Sequence, residues 1–178
     1  TYQTARKIGF RVINMDTIAG LDGDTPESFA ETMRTLVSLK PENITVHTLA
    51  VKRGANHNDR IQAVSRHETV RKMLEASTQI LTAAGYSPYY LYRQKFMAGG
   101  YENVGWTRQG FECDYNIYMM EELQTILSLG AGGVTKLLTS DGSKIRRISN
   151  PKYPYEYNTS LEKINAGKQA LLEWANTL

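Results

Sequence analysis

Residues 10–29, FRVINMDTIAGLDGDTPESF, decide the fold of this chain. The first nine of them are mostly apolar and rich in branched side chains, which predicts a β-strand, and the glycines and aspartates at 20–24 predict a loop after it. Thr25 is suited to cap a helix, and Pro26 is suited to its first helical position. Apolar side chains then recur at helical spacing, so a strand, a loop and a helix follow one another.

A second strand and a second helix repeat this order. The first helix is predicted to end at Lys40, and residues 43–51 have the apolar pattern of a strand. Asn58 or Asp59 then caps a longer helix that ends at Gly85. Strand, helix, strand and helix in sequence predict parallel strands joined by right-handed crossovers. Two such units make part of a barrel or of an open sheet.

Beyond Gly85 the patterns are shorter. They predict, in order, a strand at 89–93, a glycine-bearing loop at 97–105, a short helix at 115–124, a hairpin of 134–138 with 144–148, and a terminal helix with a capping box at 159–162. We therefore divide the chain into two predicted parts at this glycine, residues 1–85 and residues 86–178.

Composition limits the class of protein. The 178 residues carry 21 Lys and Arg against 18 Asp and Glu, a formal net charge of +3, and 41% of them are hydrophobic. These values exclude intrinsic disorder and collagen. No apolar run reaches the roughly 18 residues of a membrane span, and residues 1–9 lack the apolar core of a signal peptide. We expect a soluble, cytoplasmic protein and, because residue 1 is threonine, a chain cut from a longer one.

Two features limit partners and cofactors. The densest basic group adjoins the predicted hairpin turn, which favours a solvated hairpin over a nucleic-acid patch; its members are Lys144, Arg146, Arg147 and Lys152. Cys113 is the only cysteine. A single cysteine excludes an internal disulfide, a multi-cysteine zinc site and an iron–sulfur cluster ligated by this chain alone. We interpret Cys113 as a packing residue.

Asp16 is the most informative polar residue, because it lies inside an apolar strand and faces the same side as Asn14. Its carboxylate needs a partner there, either a ligand or the backbone amides of the next loop, and spacing alone does not separate the two. His47, in the second strand, either faces the same cavity or is a hydrogen-bonded core residue. His57 and His67 lack the His-x-x-x-His spacing of a zinc helix, so the sequence predicts no metal site.

Two further segments suit a bound ligand. The glycines of residues 130–133 let a backbone approach a phosphate, but Thr135 breaks the Gly-x-Gly-x-x-Gly pattern, and a bulged or tightly packed strand is the alternative. Arg93 and Lys95 adjoin a tyrosine cluster at 86–92. Cations beside aromatic rings suit a flat ring that bears carboxylates, because arginine clamps a carboxylate through two donors. An exposed edge strand is the alternative there.

Several spaced motifs resemble one enzyme family. They are NMDTIAGL at 14–21, DTPESF at 24–29, VHTLA at 46–50, YRQK at 92–95, ENVGW at 102–106 and LGAGGVTK at 129–136. In this order, over about residues 5–138, they resemble the oxygen-independent coproporphyrinogen III oxidases, the radical S-adenosylmethionine (SAM) enzymes of haem synthesis. The last four motifs look closest to the branch called coproporphyrinogen dehydrogenase.

The resemblance implies an α/β fold, namely the later part of a partial (β/α) TIM-like barrel with a C-terminal α+β extension. It also implies a cofactor-driven oxidoreductase, in which a [4Fe–4S] cluster and SAM supply a radical. The family's substrate is coproporphyrinogen III, a porphyrinogen, and two of its propionates are oxidatively decarboxylated to vinyl groups to give protoporphyrinogen IX without oxygen.

Site residues follow from the resemblance by position. Asp16 matches a polar contact to the ribose and methionine end of SAM, Ala50 a backbone contact near the adenine, and Val134 an apolar adenine contact. Arg93 and Lys95 are assigned, as a hypothesis, to the carboxylates of the substrate. No residue is assigned a catalytic role.

Departures from the family pattern set the remaining expectations. The family's cluster motif, Cys-x-x-x-Cys-x-x-Cys, is absent together with its early strands, and Asp22 stands where the family has proline. We therefore expect this chain to be inactive alone, its cluster to be ligated outside it, and the missing N-terminal half of the barrel to be its partner. Its exposed early-strand edge is expected to need another chain, a rearranged fold or a crystal neighbour to cover it. A haem-binding chaperone of the same family and a non-catalytic binding domain are the alternatives, and the electron donor and oligomeric state stay open.

Overall fold

The computed structural model describes residues 1–50, 67–92, 100–139 and 141–176. Two compact units make up the chain, Thr1–Cys113 and Asp114–Leu178. The division predicted at Gly85, between a barrel part and an extension, stays a prediction. Within the described ranges, no helix has both the length and the apolar character needed to cross a membrane.

The first unit is a four-stranded sheet with helices. Its described elements are α1 (Tyr2–Ile8), β1 (Asn14–Ala19), α2 (Pro26–Leu39), β2 (Asn43–Thr48), α3 (His67–Ala83), β3 (Ser87–Tyr92) and β4 (Asn103–Thr107). The strand order is β1-β2-β4-β3. β1 and β2 are parallel, as predicted, whereas β4 is antiparallel to both β2 and β3. The α/β class is confirmed.

Local chemistry begins and ends α2 as the sequence predicts. The Thr25 hydroxyl accepts a hydrogen bond from the amide of Ser28 at 3.2 Å, and the Ser28 hydroxyl accepts from the amide of Thr25 at 2.9 Å, a reciprocal capping box. Pro26 occupies the first helical position. Lys40 closes the helix in the left-handed region, at φ 57°.

An apolar layer lies between the helices and one face of the sheet. Phe29 and Met33 of α2 and Met73 and Leu81 of α3 are at most 1% exposed, and they pack with sheet residues that include Ile44. Burial of each such side chain stabilises the fold by about 1.5–3 kcal/mol. One face of the sheet is therefore covered by the helices, and the other face carries mainly polar residues.

The amino-terminal prediction was wrong in its first residues. The strand expected at 10–18 begins only at Asn14, and α1 precedes it. Tyr2 of this helix donates its hydroxyl to the Leu39 carbonyl at 2.6 Å, and Arg6 donates to both carboxylate oxygens of Glu42. These long-range contacts, which local pattern does not reveal, hold α1 in place.

The loop predicted at 97–105 was wrong at its end, because Asn103 to Gly105 belong to β4. Hydrogen bonds to β2 on one side and β3 on the other stabilise this strand despite its glycine. The strand predicted at 89–93 is β3. The start expected for the second helix, at Asn58 or Asp59, lies outside the described residues.

The second unit contains a hairpin and three described helices. Its elements are α4 (Asp114–Glu121), β5 (Val134–Leu138), β6 (Ile145–Ser149), α5 (Pro154–Thr159) and α6 (Leu161–Asn176). β5 and β6 pair antiparallel, which confirms the predicted hairpin, and Leu137 and Leu171 are buried. Of the basic group at this hairpin, Arg147 pairs with Glu122. The terminal helix is confirmed.

Candidate functional site

The candidate site is the polar face of the first unit's sheet. Along β1 the exposed residues alternate with the half-buried and buried ones: Asn14, Asp16 and Ile18 are exposed, and Thr17 and Ala19 are buried on the helix-covered side. This alternation confirms the prediction that one side of the strand is polar. Because successive side chains of a strand point to opposite faces, β1 contributes residues both to the core and to the polar face.

Asp16 has its carboxylate held by side chains of the same face. The amide Nδ2 of Asn14 donates to Asp16 Oδ1 at 2.7 Å, and His47 Nε2 lies 3.7 Å from the same oxygen. The Asp16 side chain is 61% exposed and the His47 side chain 34%. Within the described ranges, no backbone amide donates to Asp16. Because His47 Nε2 lies near Asp16 Oδ1, the structure favours a His47 that faces the same side as Asp16 over a hydrogen-bonded core histidine.

Thr45 and Tyr90 extend this arrangement across the sheet; the sequence analysis does not name Thr45, and it includes Tyr90 only in the tyrosine cluster at 86–92. Thr45 Oγ1 donates to Asn14 Oδ1 at 3.1 Å, and the Tyr90 hydroxyl lies 3.2 Å from Thr45 Oγ1. Burial raises the pKa of Tyr90, and the negative charge of Asp16 adds to that rise. Thr45 could have been found from its alternation with His47, whereas Tyr90 depends on strand pairing that no local pattern shows.

Of the other predicted site residues, two lie in the described ranges, one in each unit. Ala50 is half-buried and follows β2 in the first unit, next to Leu49, whose amide donates to the Ala19 carbonyl at 3.0 Å. Val134 begins β5 in the second unit and is 40% exposed. Arg93 and Lys95 lie outside the described residues. The roles assigned to all of these residues stay predictions.

The glycine segment 130–133 is engaged within the second unit. Asn150, 5% exposed, donates its side-chain amide to the Gly130 carbonyl at 2.8 Å and its backbone amide to the Gly133 carbonyl at 2.8 Å. The amide of Gly132 donates to the Pro151 carbonyl at 2.7 Å. Of the two alternatives from the sequence, these contacts favour a tightly packed loop over a phosphate cradle.

The residues present fit the two implied cofactors differently. The ordered, exposed carboxylate of Asp16 suits the hydroxyl and ammonium donors of SAM. A [4Fe–4S] cluster needs several thiolates, and this chain has only Cys113, which is half-buried. In the part of the chain that the structure describes, no three His, Cys, Asp or Glu side chains gather to hold a metal ion. This chain does not fit the cluster by itself.

Comparison with known proteins gives three findings, although no family model matches the chain. It is 40% identical, over 97% of its length and 35% of the relative's, to the oxygen-independent coproporphyrinogen-III oxidase-like protein HemZ of Bacillus subtilis. It is 26% identical to the heme chaperone HemW of Haemophilus influenzae, over 86% of this chain and 36% of that one. The solved structure of coproporphyrinogen III oxidase HemN from Escherichia coli, a radical SAM enzyme, matches at TM-score 0.58 and 19% identity, over 91% of this chain and 36% of that one.

The fold and the sequence similarities indicate the class of this protein. The α/β fold, with its parallel pair and mixed sheet, matches the fold of part of the solved HemN structure. Over nearly its whole length the chain is similar to part of an oxygen-independent coproporphyrinogen-III oxidase-like protein, in keeping with the resemblance that its motifs indicated. It spans about a third of the length of the curated relatives that it matches.

Proposed function

We propose that this chain is part of a radical SAM oxidoreductase that oxidatively decarboxylates two propionates of coproporphyrinogen III to vinyl groups, which gives protoporphyrinogen IX for haem synthesis. The observation that carries the proposal is the polar face of the sheet, on which the exposed Asp16 carboxylate is held by Asn14 while the opposite face is packed against helices. The identity with an oxidase-like relative supports it. A cytoplasmic location goes with this proposal.

In this proposal Asp16 binds SAM through its carboxylate, Ala50 contributes a backbone contact and Val134 an apolar one. SAM bound there would supply the radical chemistry of the reaction, and the role of these residues would be to hold it. In this proposal the Asp16 carboxylate is already oriented when it accepts hydrogen bonds from the hydroxyl and ammonium groups of SAM. This orientation lowers the free-energy cost of binding. Arg93 and Lys95 bind the carboxylates of the porphyrinogen.

The cluster and the edge of the sheet both require other residues. Cys113 alone does not complete a cluster, so we propose that its ligands belong to another part of the protein and that this chain is inactive by itself. Among the described strands β1 lies at the edge of the sheet, and Ile18 on it is 40% exposed. An uncovered edge strand invites pairing, which supports its coverage by the earlier strands of the barrel.

A haem chaperone is the second candidate, favoured by the similarity to HemW over 86% of the chain. The two functions differ in outcome rather than in fold, because a chaperone binds haem stoichiometrically and turns over no porphyrinogen. The polar face of the sheet fits SAM binding in either case.

The test is an anaerobic assay of the intact protein with its cluster reconstituted. We expect 5′-deoxyadenosine and protoporphyrin, the latter after oxidation of the product, to form from coproporphyrinogen III and SAM, as measured by chromatography. Asp16→Asn should weaken SAM binding at least tenfold, while the control Glu31→Gln, an exposed carboxylate on α2, should not. Stoichiometric haem binding without turnover would support the chaperone instead.

A further inference from the structure

A chain of side-chain hydrogen bonds joins residues of three strands, passes over the fourth strand, β4, and ends at Asp16. It begins at the hydroxyl of Tyr90 on β3, passes through Thr45 on β2 and Asn14 on β1, and reaches Asp16 Oδ1; the separations in that order are 3.2, 3.1 and 2.7 Å. Thr45 is 2% exposed, so the middle of the chain is shielded from water. Its last member is open to solvent.

The direction of this chain follows from the chemistry of its groups. An ionised carboxylate only accepts, so Asn14 turns its NH₂ group toward Asp16 and its carbonyl oxygen toward Thr45. Thr45 has one hydroxyl proton, which it donates to that carbonyl oxygen. Tyr90 is therefore the donor to Thr45. Every donor points toward Asp16, and hydrogen bonds aligned in this way strengthen one another.

The Tyr90 ring is held in place by a glycine. It lies over Gly105 of β4, where a Cβ atom would be only 1.9 Å from Tyr90 Cε1. The neighbouring Tyr89 ring packs edge-on against Tyr90, with 4.8 Å between ring centroids. Glycine in a strand interior often marks a close approach of another group, and here that group is the ring that begins the chain.

We propose that Tyr90 and Thr45 are positioning residues that orient the Asp16 carboxylate through Asn14, so that Oδ1 is engaged and Oδ2 is presented to a hydroxyl or ammonium donor of the ligand. The inference rests on the proposed function, since the ligand is the SAM proposed for Asp16. Within the described ranges, Oδ2 accepts no hydrogen bond. Tyr90 and Thr45 affect binding through Asp16 without touching the ligand.

The test compares SAM affinity among variants of the intact, cluster-reconstituted protein by calorimetry. Thr45→Val breaks the chain at its middle and should weaken binding about 3- to 10-fold, because a positioning hydrogen bond is lost. Thr45→Ser keeps the hydroxyl and should restore affinity. Tyr90→Phe keeps the ring on Gly105 and should weaken binding by a smaller factor. Thr17→Val, a buried threonine on the opposite face, is the matched control and should bind as the wild type does.

Failure of this inference is distinguishable from failure of the proposed function. If the wild type binds SAM and Thr45→Val binds equally well, the positioning role is overturned. If the wild type does not bind SAM, the proposed function is overturned at this site. In that case the chain of hydrogen bonds is tested with 3-fluorotyrosine incorporated into the protein. Thr45→Val should shift the ¹⁹F resonance of Tyr90, and the control Thr17→Val should not. A resonance that Thr45→Val leaves unshifted would show that the hydrogen bonds are not formed either.

Discussion

Gly105→Ala tests the packing that supports the candidate site. The added Cβ would lie 1.9 Å from Cε1, 2.3 Å from Cδ1 and 2.5 Å from Cζ of Tyr90, so the ring must leave its position. Gly105 is not among the glycines with positive φ, so alanine meets no backbone strain and the cost is steric. Overpacking of this kind costs about 1–3 kcal/mol. The free energy of unfolding should fall by that amount in urea, followed by the fluorescence of Trp106.

The control for this prediction is a double-mutant cycle. In a Tyr90→Ala background the space above Gly105 is empty, so adding the same methyl group should change the free energy of unfolding by less than about 0.5 kcal/mol. Equal costs in the two backgrounds would refute the reasoning, because the clash with the ring would then not be the cause. Weaker SAM binding in Gly105→Ala, beyond that of Tyr90→Phe, would show that displacement of the ring also disturbs the site.

Three further perturbations have defined directions. Burial, reinforced by the charge of Asp16, raises the pKa of Tyr90, so Asp16→Asn should make this phenol titrate at lower pH, as measured by ¹⁹F resonances of fluorotyrosine. Hydrogen bonds, first that from Thr139, lower the pKa of Asp141 from 3.8 to about 2. The ionised Asp141 carboxylate therefore stabilises the hairpin above about pH 4, and this stabilisation is lost as the pH falls toward 2. Amide exchange of the hairpin should detect the loss, and Asp141→Asn should abolish this pH dependence. Thr25→Ala removes the cap of α2 and should lower the free energy of unfolding by about 1 kcal/mol in urea, whereas Thr25→Ser should not.

The parts of the fold that local chemistry determines could be predicted from the sequence. Thr25 and Pro26 define where α2 begins, and the alternation around Asp16 shows that β1 has a polar side. Both signals lie within a few residues of the element that they specify. The hairpin in the second unit is of the same kind, since its turn residues are adjacent.

The parts that depend on distant partners could not be predicted. The first three residues of β4, which include Gly105, are predicted as a loop, yet β4 is a central strand because β2 and β3 supply hydrogen bonds from both sides. The same holds for Tyr90, whose role arises only when β3 pairs with β4 and brings its hydroxyl to Thr45. The face that His47 shares with Asp16 likewise follows only from the pairing of β1 with β2.

Strand register connects the stability of this unit with its candidate site. A slip of one residue in β1 would turn Asp16 into the helix-covered core, where an ionised carboxylate without a partner is very costly, and would expose Ala19. The turn after β1 resists such a slip: Gly20 has φ 93°, and a Cβ there would lie 2.9 Å from Val70 of α3. The contact that packs α3 against this turn therefore also keeps Asp16 on the open face. Substitutions at Gly20 should affect folding and ligand binding together, whereas substitutions at Thr45 should separate them.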